Sequence, residues 1–261
     1  MNSNNPFDNF EIYHLSNTSL SLFISNTSKW VLNYLHKIRS KTNSAMIRGT
    51  VSDHEIGRQV DDPLPLQESI ERAELEYDTT IKQLKKEDGF EVDDEKELKE
   101  KQNLAKYLER AIPHYKNLGK PESYQKKIEL QLDEVPVPII GYCDLTYKEG
   151  IVRDIKTTGR LPSEIPDSVN RQLSIYSTAL DGYVPLVDYV YVTSRKAEVV
   201  TMQVNDVDKW MSQVKGASIA MQNLLALGDL HEITSVMYPD FSDWMWSEYE
   251  IAEAKKIWSI K

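Results

Sequence analysis

The chain has 261 residues, 40% of them hydrophobic, and a formal net charge of −10 at pH 7. That size and apolar content suffice for one large domain, or for one core with sizeable insertions. The acidic balance argues against a protein that coats nucleic acid through bulk charge, but not against a nuclease, whose field is local and changed by a bound cation. A single cysteine, Cys143, excludes an intrachain disulfide framework and a four-cysteine cluster. No apolar run reaches transmembrane length and no cationic-plus-apolar leader opens the chain, so the expectation is a soluble, cytoplasmic protein without a membrane partner.

Residues 1–14 read as an irregular arm. Leu15-Ser-Asn-Thr-Ser19 then offers N-cap residues ahead of apolar positions at helical spacing, among them Leu20, Phe23, Trp30, Leu32, Leu35 and Ile38, with a break at Asn26-Thr-Ser28. Residues 45–60 predict a further helix containing Gly49, Asp53 and His54, and Asp62-Pro-Leu-Pro65 punctuates the chain. The strongly charged stretch 66–118 carries two stripes: Ile70, Ala73, Tyr77, Ile81 and Leu84, then Leu98, Leu104, Tyr107, Leu108 and Ala111. Asp88-Gly89 separates them, and an antiparallel helical pair with solvated charged faces is the simplest arrangement.

Residues 124–132 alternate as a strand with Glu129 inside it, and Val135-Pro-Val-Pro138 is a loop. Two segments rich in β-branched and aromatic residues follow, 139–147 and 151–158, on either side of Lys148-Glu149-Gly150. A three-residue hairpin loop needs a left-handed residue near its end, which suits Gly150. With that loop Tyr147 faces Ile151 and Asp144 faces Asp154, their Cβ atoms roughly 4.5–5.5 Å apart on one sheet face. Lys156 shares that face, and Ile155 points the other way, into the core. A two-residue loop would put the two aspartates on opposite faces. Close carboxylates must protonate, splay into water or gain a cation, and a hard divalent ion is the natural partner. A surface Asp–Lys pair on a solvated hairpin is the simpler alternative for the same spacing.

Residues 159–166 form a loop, and Asp167 or Ser168 can cap a helix to about residue 180, on which Gln172 and Tyr176 share a face. Residues 184–193 and 198–204 read as strands, 206–227 as an amphipathic helix, and 239–258 as a Trp-rich helical end.

The order of these motifs resembles the RecB-like branch of the PD-(D/E)XK nuclease superfamily. Gly141-Tyr-Cys-Asp144 is similar to its Gly-x-x-Asp motif, Val152-Arg-Asp-Ile-Lys-Thr-Thr158 to its Asp-x-Lys-Thr motif, and Gln172-Leu-Ser-Ile-Tyr176 to its Gln-x-x-x-Tyr helix. Arg48-Gly-Thr-Val-Ser-Asp-His54 resembles its Gly-x-x-x-His/Glu motif; the spacing favours Asp53, imidazole chemistry in closer relatives favours His54, and helix geometry lets only one reach an ion. The resemblance implies an α/β fold with a restriction-endonuclease-like core, a mixed central sheet flanked by helices, in a single nuclease domain over 1–261 with a helical insertion at 66–118. It implies that Asp144, Asp154 and Asp53 or His54 hold Mg²⁺ or Mn²⁺ together with the Ile155 carbonyl, and that Lys156 positions the attacking water. Gln172 and Tyr176 would contact DNA or orient Lys156, Glu129 would support the site, and Arg153, Arg171, Arg195 and Lys196 would contact phosphates.

Some relatives tie their ends together with an iron–sulfur cluster on four cysteines. Here Asn26, Trp246 and Tyr249 stand near those places, so no cluster is expected and packed aromatics would take its stapling role. No Gly-x-x-x-x-Gly-Lys-Ser/Thr loop is present, so no ATP site is expected either. The expected activity is metal-dependent exonucleolytic hydrolysis of DNA, acting on single- or double-stranded ends in phage or bacterial recombination, repair or degradation, with a second copy or a recombination protein as further partner. The rivals are a structure-selective or CRISPR-associated endonuclease, and a DNA-end-binding protein on a decayed nuclease core.

Overall fold

A computed structural model describes residues 5–40, 42–86, 93–193 and 195–260. The Asp88-Gly89 break lies outside them. The chain divides into two compact units, one of Met1–Ser40, Ile128–Gly141 and Asp206–Lys261, the other of Lys41–Lys127 and Tyr142–Asn205.

In the first unit, Ser16 accepts the Ser19 N–H to start α1, Asn17–Ser25. Asn26 then accepts the Lys29 N–H to start α2, Thr27–Trp30, which continues as a π-helical turn over Val31–Leu35. The expected break at Asn26-Thr-Ser28 is therefore a capping event. Leu15 makes a parallel bridge to Ile139, with its N–H donating to Pro138 O at 2.8 Å and its carbonyl accepting from Ile140 N at 2.8 Å.

The second unit opens with α3, Ser44–Asp61, capped by Asn43. Next come α4, Leu66–Leu84, and α5, Asp94–Asn117. Their apolar stripes meet in one core: Ile70, Ala73, Tyr77 and Ile81 of α4 pack with Leu104, Tyr107, Leu108 and Ala111 of α5 and with Ile47, Val51 and Ile56 of α3. Pairs at Lys101–Asp78 (2.6 Å) and Lys85–Asp94 (2.9 Å) run the two long helices antiparallel, as expected. Leu98 departs from its stripe. It is 58% exposed, on a turn of α5 that borders a groove shared with Tyr77, Ile81 and Lys85 of α4.

The strands β1 (Ser123–Leu130), β2 (Ile139–Tyr147), β3 (Ile151–Thr158), β4 (Val184–Val192) and β5 (Ala197–Gln203) form one mixed sheet in sequence order. β2 and β3 are antiparallel with Tyr147 opposite Ile151, so the loop has three residues, and Gly150 takes φ +74°. β3 and β4 are parallel, which requires a crossover; α6, Asp167–Ala179, supplies it. Pro166, not Asp167 or Ser168, precedes its first turn, without a side-chain cap. β4 and β5 are antiparallel. Ile155 packs into the core with α3–α5. By strand alternation Asp154 and Lys156 point to the opposite face.

The last helices belong to the first unit: α7 (Val207–Leu225), α8 (Leu230–Ser235) and α9 (Glu248–Ile257). The Trp-rich end is helical over α9 only; Asp240 and Asp243 hold the segment before it in turns by accepting backbone N–H bonds. α9 begins with a capping box in which Ser247 and Glu250 exchange bonds. Glu250 also pairs with Lys29 at 2.8 Å and accepts the Ser40 N–H at 3.1 Å. Lys29 donates in addition to Met245 O, and Asn26 donates to Asp243 at 3.2 Å. Trp246 packs beside Leu32 and Ala254 and meets Phe241 edge to face at 5.3 Å. A buried ion pair and aromatics thus join the two ends of the chain. No helix among the described residues is long and apolar enough to cross a membrane.

Candidate active site

A cleft of about 520 Å³ in the second unit is lined by residues of α3, β2, β3 and α6. Asp53, Asp144, Asp154, Ile155, Lys156 and Gln172 are among its lining residues. The hairpin brings its share by register. The β2–β3 ladder is paired as far as Leu145–Arg153, one step short of Asp144 and Asp154. There the Asp144 carboxylate intervenes, and its Oδ2 accepts the Ile155 N–H at 2.7 Å. Asp154 is 1% exposed and Asp144 9%. The Lys156 Nζ stands 2.7 Å from Asp154 Oδ2.

Asp53 joins this group from the middle of α3, and His54 does not. His54 turns outward, its side chain 47% exposed, and its Nδ1 meets Glu76 at 2.8 Å. Adjacent helix positions diverge by about 100°, so only one of the two can face the cleft.

The link between Asp53 and the hairpin is a residue the sequence did not single out. Gln125 of β1 places its Nε2 3.0 Å from Asp53 Oδ2 and 3.1 Å from Asp144 Oδ1. One amide group spends its two protons on two carboxylates. Its backbone has φ +50°, in the left-handed region that a side chain disfavours. Such strain costs of order 1–3 kcal/mol and persists where surroundings impose it. The preceding Tyr124 is itself held against α3. Its hydroxyl donates to Asp53 O at 3.3 Å, and its ring fills the space over Gly57, where a Cβ would sit 2.1 Å from it. Gly57 thus lets β1 close on α3. Nothing in local periodicity marks Gln125, since a kinked strand residue and a helix glycine meet only in the fold.

The charges of the cleft act on one another. Burial, then the charges of Asp53 and Asp154, push the Asp144 carboxyl well above its usual range, against the pull of Lys156 and the Ile155 N–H. Burial and Asp154 push Asp53 up to about 6. At Lys156 burial works against the charge, but Asp154, Asp144 and Asp53 outweigh it and hold the ammonium above its ordinary value. On α6, Gln172 donates to the Tyr176 hydroxyl at 2.9 Å, and burial followed by the Asp154 charge pushes that hydroxyl up. Cys143, next to Asp144 and fully buried, has its thiol pushed up to about 12, by burial first and then by the neighbouring carboxylates.

The remaining expected residues lie elsewhere. Arg153 points to the opposite face of the sheet, where its Nη1 donates to both oxygens of buried Asp188 at 2.8 and 2.9 Å. Tyr115 and Thr201 complete that network at 3.1 and 2.6 Å. Arg153 is therefore a core cation and not a surface contact for phosphate. Arg171 is buried on α6, and burial lowers its pKa. Glu129 is exposed near the end of β1. Lys196 pairs with Glu198 at 2.6 Å. Arg48, which carried no expected role, does line the cleft; it pairs with Glu100 at 2.5 Å and lies over the Tyr107 ring at 4.5 Å.

Three carboxylates suit a hard, oxygen-liganded divalent cation. Asp53 Oδ1 and Asp154 Oδ2 are buried without a hydrogen-bond donor, although Lys156 is ion-paired to the latter. Among the described residues no three acidic, His or Cys side chains already stand at metal-ligand spacing. The Gln125 amide stands between Asp53 and Asp144 instead. The donor chemistry fits such an ion, provided that amide reorients.

A mixed sheet presenting acids and a lysine from adjacent strands, with a helix carrying a third acid, is a nuclease-type architecture. The chain belongs to the PD-(D/E)XK nuclease superfamily, whose family model matches residues 14–227. Members of this superfamily generally use divalent metals such as Mg²⁺ or Mn²⁺. No curated protein matches the sequence significantly. Among solved structures, a Eubacterium rectale protein provisionally named an exonuclease aligns at TM-score 0.53 and 11% identity, over 92% of this chain and 87% of that one. It shares the fold. The protein SSO0001 aligns at TM-score 0.34 and 11% identity, over 79% of this chain and 83% of that one.

Proposed function

We propose that this chain is a metal-dependent DNA exonuclease of the RecB-like branch, with its active site in the second unit. The observation that carries the reading is the meeting of Asp53, Asp144, Asp154 and Lys156, from α3, β2 and β3, around one cleft. Asp144, Asp154, Asp53 and the Ile155 carbonyl would hold Mg²⁺ or Mn²⁺. Such an ion supplies a Lewis acid and lowers the pKa of a water it binds. Lys156, kept protonated by the three acids, orients a water and stabilises negative charge growing on the phosphate. Gln172 borders the cleft from α6, held by its bond to the Tyr176 hydroxyl behind it, and orients the substrate backbone. In this reading residues 66–118 are a helical insertion in a single nuclease domain. The name of the Eubacterium rectale fold relative favours exonuclease over endonuclease chemistry.

The test is digestion of 5′- and 3′-labelled linear DNA beside covalently closed circles, with Mg²⁺ or Mn²⁺. The linear DNA is degraded, the circle survives, and Asp154→Ala and Lys156→Ala abolish the digestion. Cutting of the circle would move the protein to the endonucleases. A wild-type protein that cuts neither, and binds DNA ends as its two variants do, would make it a binding protein on a decayed core.

A further inference from the structure

We infer that Gln125 is an ion-site residue whose amide exchanges a donor for an acceptor when a divalent cation enters between Asp53 and Asp144. The inference rests on the metal-dependent reading of the same cleft and extends it to a residue outside the motifs. Three observations on this chain carry it.

The first is position. The amide head stands 3.0 Å from Asp53 Oδ2 and 3.1 Å from Asp144 Oδ1. Neighbouring ligands of an octahedral Mg²⁺ with bonds of 2.0–2.1 Å are separated by about 2.9 Å. The head group therefore sits where a ligand adjacent to both carboxylates would sit. The second is charge. With no ion, two carboxylates demand donors and receive the NH₂ group. An ion held by both would be repelled by that NH₂ and attracted by the carbonyl Oε1 on the other side of the same planar head. A half-turn about the last side-chain torsion exchanges the two, and torsions of this kind are broad and soft. The third is the backbone. A left-handed residue inside a strand, φ +50°, redirects the side chain, and Tyr124 packed over Gly57 fixes it. Strain kept by packing is a sign of a position that function fixes.

The alternative is that Gln125 only ties β1 to α3, or only competes with the ion. The three possibilities differ in the sign of one measurement. Mn²⁺ binding to the full chain is followed by titration calorimetry for the wild type, Gln125→Leu, Gln125→Glu and Asp154→Ala, with melting temperatures recorded in EDTA and in Mn²⁺. As a ligand position, Gln125→Leu weakens Mn²⁺ binding by about 10–100-fold. It also shrinks the Mn²⁺-induced rise in melting temperature. Gln125→Glu, which offers oxygens only, binds Mn²⁺ at least as tightly as the wild type. A Gln125→Leu protein that binds Mn²⁺ as well as or better than the wild type overturns the inference while leaving the metal-dependent reading intact. A variant that melts lower in EDTA yet keeps the wild-type Mn²⁺ affinity identifies a purely structural tie and overturns it as well. If Gln125→Leu does not fold, Gln125→Glu decides alone, and weaker binding than wild type overturns the inference. If the wild type binds no Mn²⁺ and Asp154→Ala behaves identically, the metal-dependent reading itself falls, and this inference with it.

Discussion

Asp53 and Asp144 carry their carboxyls above the ordinary range because burial and mutual repulsion oppose ionisation. The sign of the consequence follows from linkage. A carboxyl raised in the folded state binds its proton more tightly there than in the unfolded chain, so folding is favoured below the unfolded value of 3.8 and loses that advantage as pH rises through about 6. In EDTA the melting temperature therefore falls between about pH 4 and 6, Asp53→Asn flattens the fall, and saturating Mg²⁺ reverses it. A melting temperature in EDTA that rises steadily over that interval would contradict the coupling of these acids. At Lys156 the expectation concerns rate: Lys156→Ala lowers the turnover of DNA by about 10²–10³-fold, the usual loss when one charge-stabilising donor is removed, with little change in DNA binding. Asp144, Asp154 and Lys156 were legible in the sequence because strand alternation is a strict two-residue period and Gly150 fixes the parity. The choice of Asp53 over His54 was not, because it depends on the rotation of α3 about its axis, which packing against β1 and α4 sets.

At the scale of elements, the approach of β1 to α3 depends on one missing methyl group. Gly57→Ala would place its Cβ 2.1 Å from the Tyr124 ring. Relief requires the Tyr124 ring to move, which breaks its bond to Asp53 O and loosens the hold of β1 on α3 beside Gln125. The expected cost is about 1–3 kcal/mol in urea unfolding, as for overpacked sites, together with loss of nuclease activity; adding Tyr124→Ala restores most of the stability. The other face of the hairpin behaves differently. Arg153 neutralises buried Asp188, so Arg153→Ala costs about 3–5 kcal/mol by stranding that charge. The slope of DNA affinity against salt stays unchanged, whereas a phosphate contact would lower it by about one. Its positive charge beside the Asp-x-Lys motif makes Arg153 look like a phosphate contact. The same alternation that put Asp154 in the cleft sends Arg153 away from it, and only the partner Asp188, on a strand a crossover away, shows the arginine to be buried. The helical stripes were legible for a similar local reason, except at Leu98, which has the spacing of its stripe but lines an open groove between α4 and α5.

For the molecule, the two units have separate means of cohesion. The first is closed through Lys29 and Glu250, the glutamate 0% exposed and serving the α9 cap, Ser40 and Lys29 at once. Burial alone would raise the Glu250 pKa, but its bonds to Lys29, Ser40 and Ser247 outweigh that and lower it. A depressed carboxyl stabilises the fold above its unfolded value and loses that effect as pH falls through the folded one. Glu250→Gln therefore removes a stabilisation that the wild type keeps at neutral pH, and the two proteins converge in melting temperature as the acid limit is approached. Glu250→Ala costs more, about 3–5 kcal/mol, because Lys29 is left buried and unpaired. The sequence suggested that something other than cysteines joins the ends and pointed to Trp246 and its aromatic neighbours. The charged part of the closure leaves no local signal, because its partners are 221 residues apart.

The chain has one cysteine, and it sits beside a cleft carboxylate with its thiol pushed up to about 12. Thiolate is the reactive form and Cys143 is fully buried, so modification requires the residue to become exposed first. Cys143 is thereby a native clock for that exposure. The rate at which a disulfide reagent consumes it, read in the unlabelled wild-type protein, measures how often β2 leaves its place, and on the proposed ion site saturating Mg²⁺ slows that rate.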